Sequence, residues 1–274
     1  MKTLTVLTIL LTLSLANILH AGLDTDALFN HVIAVYHFES TQNTDGGLLY
    51  TEDSGPQNLP GFLFEGASLA NGGKSGKCLS LVGDDRFGAG TDTFPHLASV
   101  GFSIVAWVKR PQQNGGLVFS MISVYKEDGE NVVSEIDFGV TPTGNIKGTH
   151  TTYPTDTSAV LTTQDENISN NKWHHIAYTL FANTYTLFID GEAVLKHEAT
   201  VFPGYFGDRV LFFISSPDST RKTLIDEVGF FETGFSTYEI KGLYNDGLAK
   251  FLEAMPVSPQ GRLATTWGEI KTRR

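Results

Sequence analysis

From residue 32 onward the chain alternates short apolar runs with turn-forming clusters, and within the runs the period is two rather than 3.6. β-Branched and aromatic residues dominate segments 32–38, 78–82, 102–109, 117–124, 132–140, 174–181, 185–189, 210–214 and 224–231, each of strand length. Asp45-Gly46-Gly47, Asn71-Gly72-Gly73 and Asn114-Gly115-Gly116 punctuate them, and Asp190-Gly191 supplies a tight hairpin between segments 185–189 and 193–195. Strand after strand with no intervening helical period predicts an all-β chain, an antiparallel two-sheet sandwich.

In segment 102–109 the alternation places Phe102, Ile104 and Ala106 on one face and Ser103, Val105 and Trp107 on the other, so both faces carry apolar groups and the strand belongs inside a layered structure. In segment 173–178 Trp173, His175 and Ala177 share one face, and His174, Ile176 and Tyr178 the other, so the adjacent histidines diverge. One short C-terminal helix is expected, opened by the capping pair Ser236 and Glu239 and presenting Ile240, Leu243 and Tyr244 on one side. Past Gly247 the breakers Pro256, Pro259 and Gly261 precede a basic end (Arg262, Lys271, Arg273, Arg274), and residues 248–274 read as a tail that either packs on the sandwich through Phe251, Leu252 and Trp267 or stays mobile.

The first residues follow another pattern. Lys2 is followed by an almost uncharged apolar stretch over residues 4–19, and Ala21 offers a small residue for cleavage before Gly22. Residues 1–21 are therefore read as a signal peptide, leaving 22–247 as the sandwich domain in an exported protein with no membrane span in its mature chain.

Thirty acidic against nineteen basic residues give a formal net charge of −11. That balance disfavours binding to a phosphate backbone, so nucleic acid is not an expected partner. Cys78 is the single cysteine, which excludes an intramolecular disulfide; on the strand-like run 78–82 it reads as a core residue.

Four stretches taken in order resemble the laminin-G-like and pentraxin-type branch of the concanavalin-A-like lectin/glucanase superfamily. They are Ser75-Gly76-Lys77-Cys78-Leu79-Ser80-Leu81 leading to Gly83-Asp84-Asp85-Arg86-Phe87; Phe102-Ser103-Ile104-Val105-Ala106-Trp107-Val108-Lys109; Trp173-His174-His175-Ile176-Ala177 with Leu187-Phe188-Ile189-Asp190-Gly191; and Ile225-Asp226-Glu227-Val228-Gly229-Phe230-Phe231. Asp53-Ser54-Gly55 is similar to an early turn of the same family. The resemblance covers residues from about 30 to about 247 and implies a jelly-roll sandwich. It also implies that some members hold a structural Ca²⁺ where the first and last strands meet, at positions matching Glu39 and Asp226, with Asp53 as a further oxygen donor. Such an ion takes roughly six to eight oxygens, so carbonyls and water would complete the shell.

Other chemistries are set against these residues. Two adjacent, diverging histidines and one cysteine do not make a zinc cluster. Glu135-Ile136-Asp137-Phe138 resembles the start of a glucanase catalytic strand, but a retaining site needs a second carboxylate at about 5–5.5 Å. Gly139 and Val140 stand where the family's next glutamate would fall, so Glu135 and Asp137 read as strand carboxylates. Gly73-Lys74-Ser75 ends a near-match to a phosphate loop whose first glycine is replaced by Ser68 and which lacks a strand-to-helix setting.

Ligand contacts are expected from aromatics in turn-like segments, since sugars stack on exposed rings: Phe202, Tyr205 and Phe206 in Phe202-Pro203-Gly204-Tyr205-Phe206, together with Tyr125 and Tyr153. The sequence thus predicts a secreted, non-catalytic module that recognises carbohydrate or glycoprotein, with a structural Ca²⁺. A protein-binding adhesion module is the alternative, and a glycan-active hydrolase or lyase a third reading.

Overall fold

The computed structural model describes residues 31–91, 101–112, 115–124, 132–153, 157–199 and 209–254. The chain divides into two compact units. One is His31–Phe251; of the other, Met1–Asn30 with Leu252–Arg274, only 252–254 are described. The segment read as a signal peptide lies outside the described residues. Among the described residues no helix is long and apolar enough to cross a membrane.

The first half of the strands comprises β1 (Val32–Tyr36), β2 (Gln42–Asn43), β3 (Leu49–Thr51), β4 (Gly61–Phe64), β5 (Ser68–Asn71), β6 (Lys77–Leu81), β7 (Arg86–Thr91) and β8 (Phe102–Lys109). Then follow β9 (Leu117–Val124), β10 (Val132–Val140), β11 (Ile146–Thr152), β12 (Thr157–Thr162), β13 (Trp173–Phe181), β14 (Thr184–Ile189), β15 (Glu192–Glu198), β16 (Arg209–Ser215) and β17 (Thr223–Phe231). Two short helices close the described chain, α1 (Thr237–Asp246) and α2 (Leu248–Ala254).

The strands form two antiparallel sheets. One has eight strands in the order β15-β14-β13-β8-β17-β6-β5, with β1 also paired to β17; the other has nine in the order β12-β11-β10-β9-β16-β7-β4-β3-β2. β1 takes the Val228–Phe231 half of β17 and β6 the Thr223–Ile225 half. Between these halves the register of β17 against β8 shifts between Asp226 and Gly229, and Glu227 adopts φ 51°. This bulge carries two adjacent carboxylates to the seam where the first and last strands meet.

The core lies between the sheets and is built by strand alternation. Phe119, Met121, Ile136, Phe138, Phe212 and Ile214 come from the nine-stranded sheet, and Ile104, Ala106, Ile176, Tyr178, Leu187 and Phe230 from the eight-stranded one. A buried polar chain crosses it. The His150 ring lies 3.0 Å from Ser134 Oγ through Nε2 and 2.9 Å from the Tyr185 hydroxyl through Nδ1. Burial lowers the His150 pKa to about 4.

The outer face of the eight-stranded sheet is covered in part by α1. Ile240 and Leu243 are buried, and the Tyr244 ring stacks on Trp107 at 5.6 Å, which explains the second apolar face of segment 102–109. The predicted capping box is present: Ser236 Oγ accepts the Glu239 amide at 3.4 Å and Glu239 Oε2 accepts the Ser236 amide at 2.6 Å. At the predicted hairpin Asp190 and Gly191 have φ of 49° and 81°. At the start of the segment read as a tail, α2 follows α1 at once, and Phe251, one of the residues through which that tail was expected to pack, sets its ring 5.5 Å from Phe235.

Candidate functional site

The nine-stranded sheet presents an outward face that α1 does not cover. Along β9 and β16 buried and half-buried residues alternate: Leu117, Phe119 and Met121 point inward, and Val118, Ser120 and Ile122 outward. On β16, Leu211, Phe213 and Ser215 point outward. On β10 the same period sends Ile136 and Phe138 into the core and leaves Glu135 and Asp137 outside.

Strand pairing turns these positions into a row. Asp137 is opposite Thr149 on β11 and Ser120 on β9. Ser120 is opposite Phe213, Phe213 is opposite Gly88, Gly88 is opposite Phe62, and Phe62 is opposite Tyr50. One cross-strand line therefore runs Thr149, Asp137, Ser120, Phe213, Gly88, Phe62, Tyr50.

The first end of the row is polar. Ser120 Oγ donates to Asp137 Oδ1 at 2.5 Å. The exposed Tyr153 hydroxyl lies 3.4 Å from Glu135 Oε2. Burial, and then repulsion from Asp137, raises the Glu135 carboxyl above its ordinary range. An open cavity of about 280 Å³ adjoins this end, lined by Val118, Asp137, Gly139, Thr141, Lys147 and Thr149.

The second end is aromatic. The Tyr50 and Phe62 rings are 6.0 Å apart and the Phe62 and Phe64 rings 6.4 Å apart. A Cβ on Gly88 would stand 3.1 Å from Phe213 Cδ1 and 3.3 Å from Phe64 Cε2, so the glycine makes room for both rings on the sheet surface. These rings were not among the expected contacts. The signal available was the alternation in Phe62-Leu63-Phe64 and Phe212-Phe213, in which one partner is needed for the core and the other is surplus to it.

Of the expected ligand aromatics, Tyr153 stands beside Glu135 at the polar end. Tyr125, Phe202, Tyr205 and Phe206 lie outside the described residues.

Of the expected metal donors, Glu39 and Asp226 converge on one turn, that between β5 and β6. Glu39 Oε2 accepts the Lys77 amide at 3.1 Å, and Asp226 Oδ2 accepts the Ser75 amide at 3.0 Å. Asp226 is fully buried, and burial lifts its carboxyl to about 7. Asp53 instead clamps the turn after β3. Its Oδ1 accepts the amides of Val35 and Gly55 at 2.7 Å each, and its Oδ2 that of Leu59 at 3.0 Å. Among the described residues no three His, Cys, Asp or Glu side chains are disposed to hold a metal.

The histidine pair diverges as the alternation requires. His174 Nδ1 lies 2.8 Å from Asp190 Oδ2, whereas His175 is buried against Trp107, with its pKa lowered to about 4 chiefly by burial. Cys78 is buried, and burial pushes its thiol up to about 11. At Gly139, one of the two positions where the glucanase carboxylate would stand, a Cβ would fall on the Leu117 carbonyl, so the backbone leaves no room for a side chain there.

The fold is an antiparallel two-sheet β-sandwich, and the chain belongs to the concanavalin A-like lectin/glucanases superfamily, whose Laminin_G_3 profile matches residues 85–241, more than half of the chain. Among solved structures it is similar to the binding domain of Paraclostridial Mosquitocidal Protein 1, with a TM-score of 0.61 at 14% identity over 80% of this chain and 53% of that one. It is also similar to the receptor-binding domain of botulinum neurotoxin D, at 0.59 and 14% over 80% and 53%. The same toxin's ligand-binding domain in complex with N-acetylneuraminic acid gives 0.57 and 14% over 81% and 52%. The chain thus spans about half the length of each, and at this identity the likeness is one of fold. No curated protein sequence matches the chain.

Proposed function

We propose that this protein is a secreted, non-catalytic recognition module that binds carbohydrate or glycoprotein on the outward face of its nine-stranded sheet. The observation that carries the reading is the pairing of Asp137, Ser120 and Thr149 with a surface row of aromatic rings. Hydroxyl-bonding groups beside stacking surfaces are what a sugar ring requires. Membership of a superfamily of lectins and glucanases supports it, as do neighbours that are receptor-binding domains, one of them in complex with a sialic acid. The lack of room for a carboxylate at Gly139 supports the non-catalytic reading. The signal-like pattern of residues 1–21 supports export.

A structural Ca²⁺ belongs to the same proposal. Glu39 and Asp226 flank one turn, and Asp226 is a buried carboxyl whose charge a cation would stabilise. Both already accept backbone amides, so carbonyl oxygens and water would supply the rest of the shell. Asp53, with three amides on its two oxygens, fits this role less well.

A second reading, a protein-binding adhesion surface, is favoured by Leu48, Leu49 and Phe64, large apolar side chains exposed near the aromatic end. A glycan array probed with the purified protein, in Ca²⁺ and in EDTA, separates the two. Binding to glycans that disappears in Asp137→Ala upholds the carbohydrate reading. No glycan bound in either buffer overturns it in favour of a protein partner.

A further inference from the structure

We infer that the eight-stranded sheet carries a second binding site on its outer face, beside the start of α1, and that this site takes a small zwitterion, an α-amino acid with an aromatic side chain. The site lies on the opposite side of the sandwich from the face assigned to carbohydrate and does not depend on that reading.

Strand alternation makes its floor. On β14, Tyr185, Leu187 and Ile189 belong to the core between the sheets, which sends Thr184, Thr186 and Phe188 to the outer face. Between the first turn of α1 and β15 a cavity of about 730 Å³ opens over these three residues. That volume falls within the range of small-molecule sites, roughly 300–1,000 Å³.

The walls are aromatic. Phe188 and Phe235 are buried, stand outside the core between the sheets and line the cavity. Phe181, at the end of β13, and Tyr238, in the first turn of α1, line it too, and both are exposed. Two covered and two open rings around one mouth suit a ligand with a planar ring.

The polar groups carry both signs. Strand pairing sets Lys196 opposite Thr186 and Glu198 opposite Thr184, so both side chains project from β15 on the cavity side. Two residues apart on one strand, they are rooted roughly 7 Å from each other. Among the described residues neither makes an ion pair, whereas at the other end of β15 Glu192 is bonded by Lys241 of α1. The helix adds donors. Its capping box uses the amides of Ser236 and Glu239, leaving those of Thr237 and Tyr238, both at the cavity wall, without a partner among the described residues. Lys196 and these amides suit a carboxylate, and Glu198 suits an ammonium.

A buried hydroxyl beside the floor is also unpaired. Thr179 is opposite Thr186 on one side and Ser103 on the other, so the three share the outer face with Lys196. Ser103 is engaged, donating to the Thr233 carbonyl at 2.7 Å and accepting the Phe235 amide at 2.8 Å. Thr179 Oγ1 is buried and has no hydrogen-bond partner among the described residues, a deficit that a polar group seated over Thr186 is placed to relieve. A ring, a carboxylate and an ammonium on one small molecule are the groups of an aromatic α-amino acid.

The test is calorimetric titration of the purified protein with phenylalanine, tyrosine and tryptophan, and with two probes that each lack one charge. Phenylpropionate has no ammonium and phenethylamine no carboxylate. At least one of the amino acids is expected to bind, and phenylalanine about tenfold or more tighter than either probe, the loss of one charged hydrogen bond. Glu198→Gln, at an exposed position, removes the preference over phenylpropionate, and Lys196→Gln, also exposed, removes that over phenethylamine. Phe181→Ala and Tyr238→Ala weaken every ligand, and Asp137→Ala, on the opposite face, weakens none. Equal affinity for phenylalanine and phenylpropionate overturns the zwitterion. Amino-acid binding that ignores both charge variants overturns the site, and failure of all five compounds to bind overturns the inference outright. Each of these outcomes leaves the carbohydrate reading standing, because the glycan array is read on the other face.

Discussion

Ser120 donates its hydroxyl to Oδ1 of Asp137 at 2.5 Å, between directly paired positions of β9 and β10. The bond fixes the carboxylate rotamer on the sheet surface and leaves Oδ2 available to a ligand hydroxyl. A charge-assisted hydrogen bond of this kind contributes about 1.5–3 kcal/mol. Asp137→Ala is therefore expected to weaken glycan binding at least tenfold, and Ser120→Ala, which frees the carboxylate rather than removing it, by less. Neither residue is part of the core, so thermal melting of both variants should stay close to the parent. A large loss of melting temperature in Asp137→Ala would reassign the pair to stability.

Two buried neutral histidines should make stability depend on acid. Burial holds His150 and His175 at about 4, against about 6.5 in the unfolded chain. Between those values the unfolded state binds the extra protons, so the stability these residues contribute is present above pH 6.5 and is lost as pH falls through 4. Each is worth up to about 3 kcal/mol by the difference between its folded and unfolded values. Asp226, raised to about 7, works with the opposite sign over part of the same range, so the clean readout is a difference between proteins. His150→Gln should cost most at pH 7, and the gap to the parent should narrow towards pH 4 in urea titrations. A gap that stays constant with pH would show that His150 does not titrate as its burial requires.

The strands that form the centre of each sheet were legible from the period-two pattern alone. Segments 102–109, 117–124 and 132–140 coincide with β8, β9 and β10. What escaped were strands whose residues serve a neighbour more than themselves. β7 reads Arg-Phe-Gly-Ala-Gly-Thr, and its two glycines lower its strand propensity; Gly88 and Gly90 are there because Phe213 and Leu211 lie over them. β11 and β12 are rich in threonine and carry few of the apolar residues that mark a core strand. α2 escaped because Gly247 ended the helical reading one residue before Leu248.

For the site, alternation alone predicted that Glu135 and Asp137 share a face and that His174 and His175 part. The aromatic row could not be read this way. Tyr50, Phe62, Gly88 and Phe213 become neighbours only through the strand order β16-β7-β4-β3, which no local pattern encodes.

Gly61 supplies a test of the packing beneath the aromatic end. A Cβ there would come within 2.4 Å of Phe87 Cε2 and 3.0 Å of Tyr36 Cε1, and closer still to Phe87 Cζ. Both rings are fully buried in an edge-to-face pair with centroids 4.8 Å apart, and Phe38 packs on Phe87 at 5.3 Å. The cluster has nowhere to yield, so Gly61→Ala should destabilise the protein by about 1–3 kcal/mol or more, as overpacking does. Chemical denaturation measures this directly, and an unchanged midpoint would mean that β4 can shift away from β7.

The calcium proposal has its own signature in pH. Asp226 is a carboxyl whose folded pKa, about 7, lies above its ordinary value of 3.8. Without a cation, the stability it confers is fully present below 3.8 and is lost as pH rises through 7, because the buried group is then forced to ionise. A bound Ca²⁺ would relieve that cost and would compete with the proton for the same oxygens. Added calcium should therefore raise the melting temperature more at pH 8 than at pH 5.5. Asp226→Asn and Glu39→Gln should abolish the increment, and Asp226→Asn should be the more stable protein at pH 8 in EDTA once the buried charge is gone. Asp53→Asn should lower stability under every condition, since its carboxylate holds three amides, while keeping the calcium increment if Asp53 is a turn clamp alone. Melting curves that ignore calcium at both pH values would remove the ion from the proposal and leave Glu39 and Asp226 as the residues that fasten the β5–β6 turn to the strand seam.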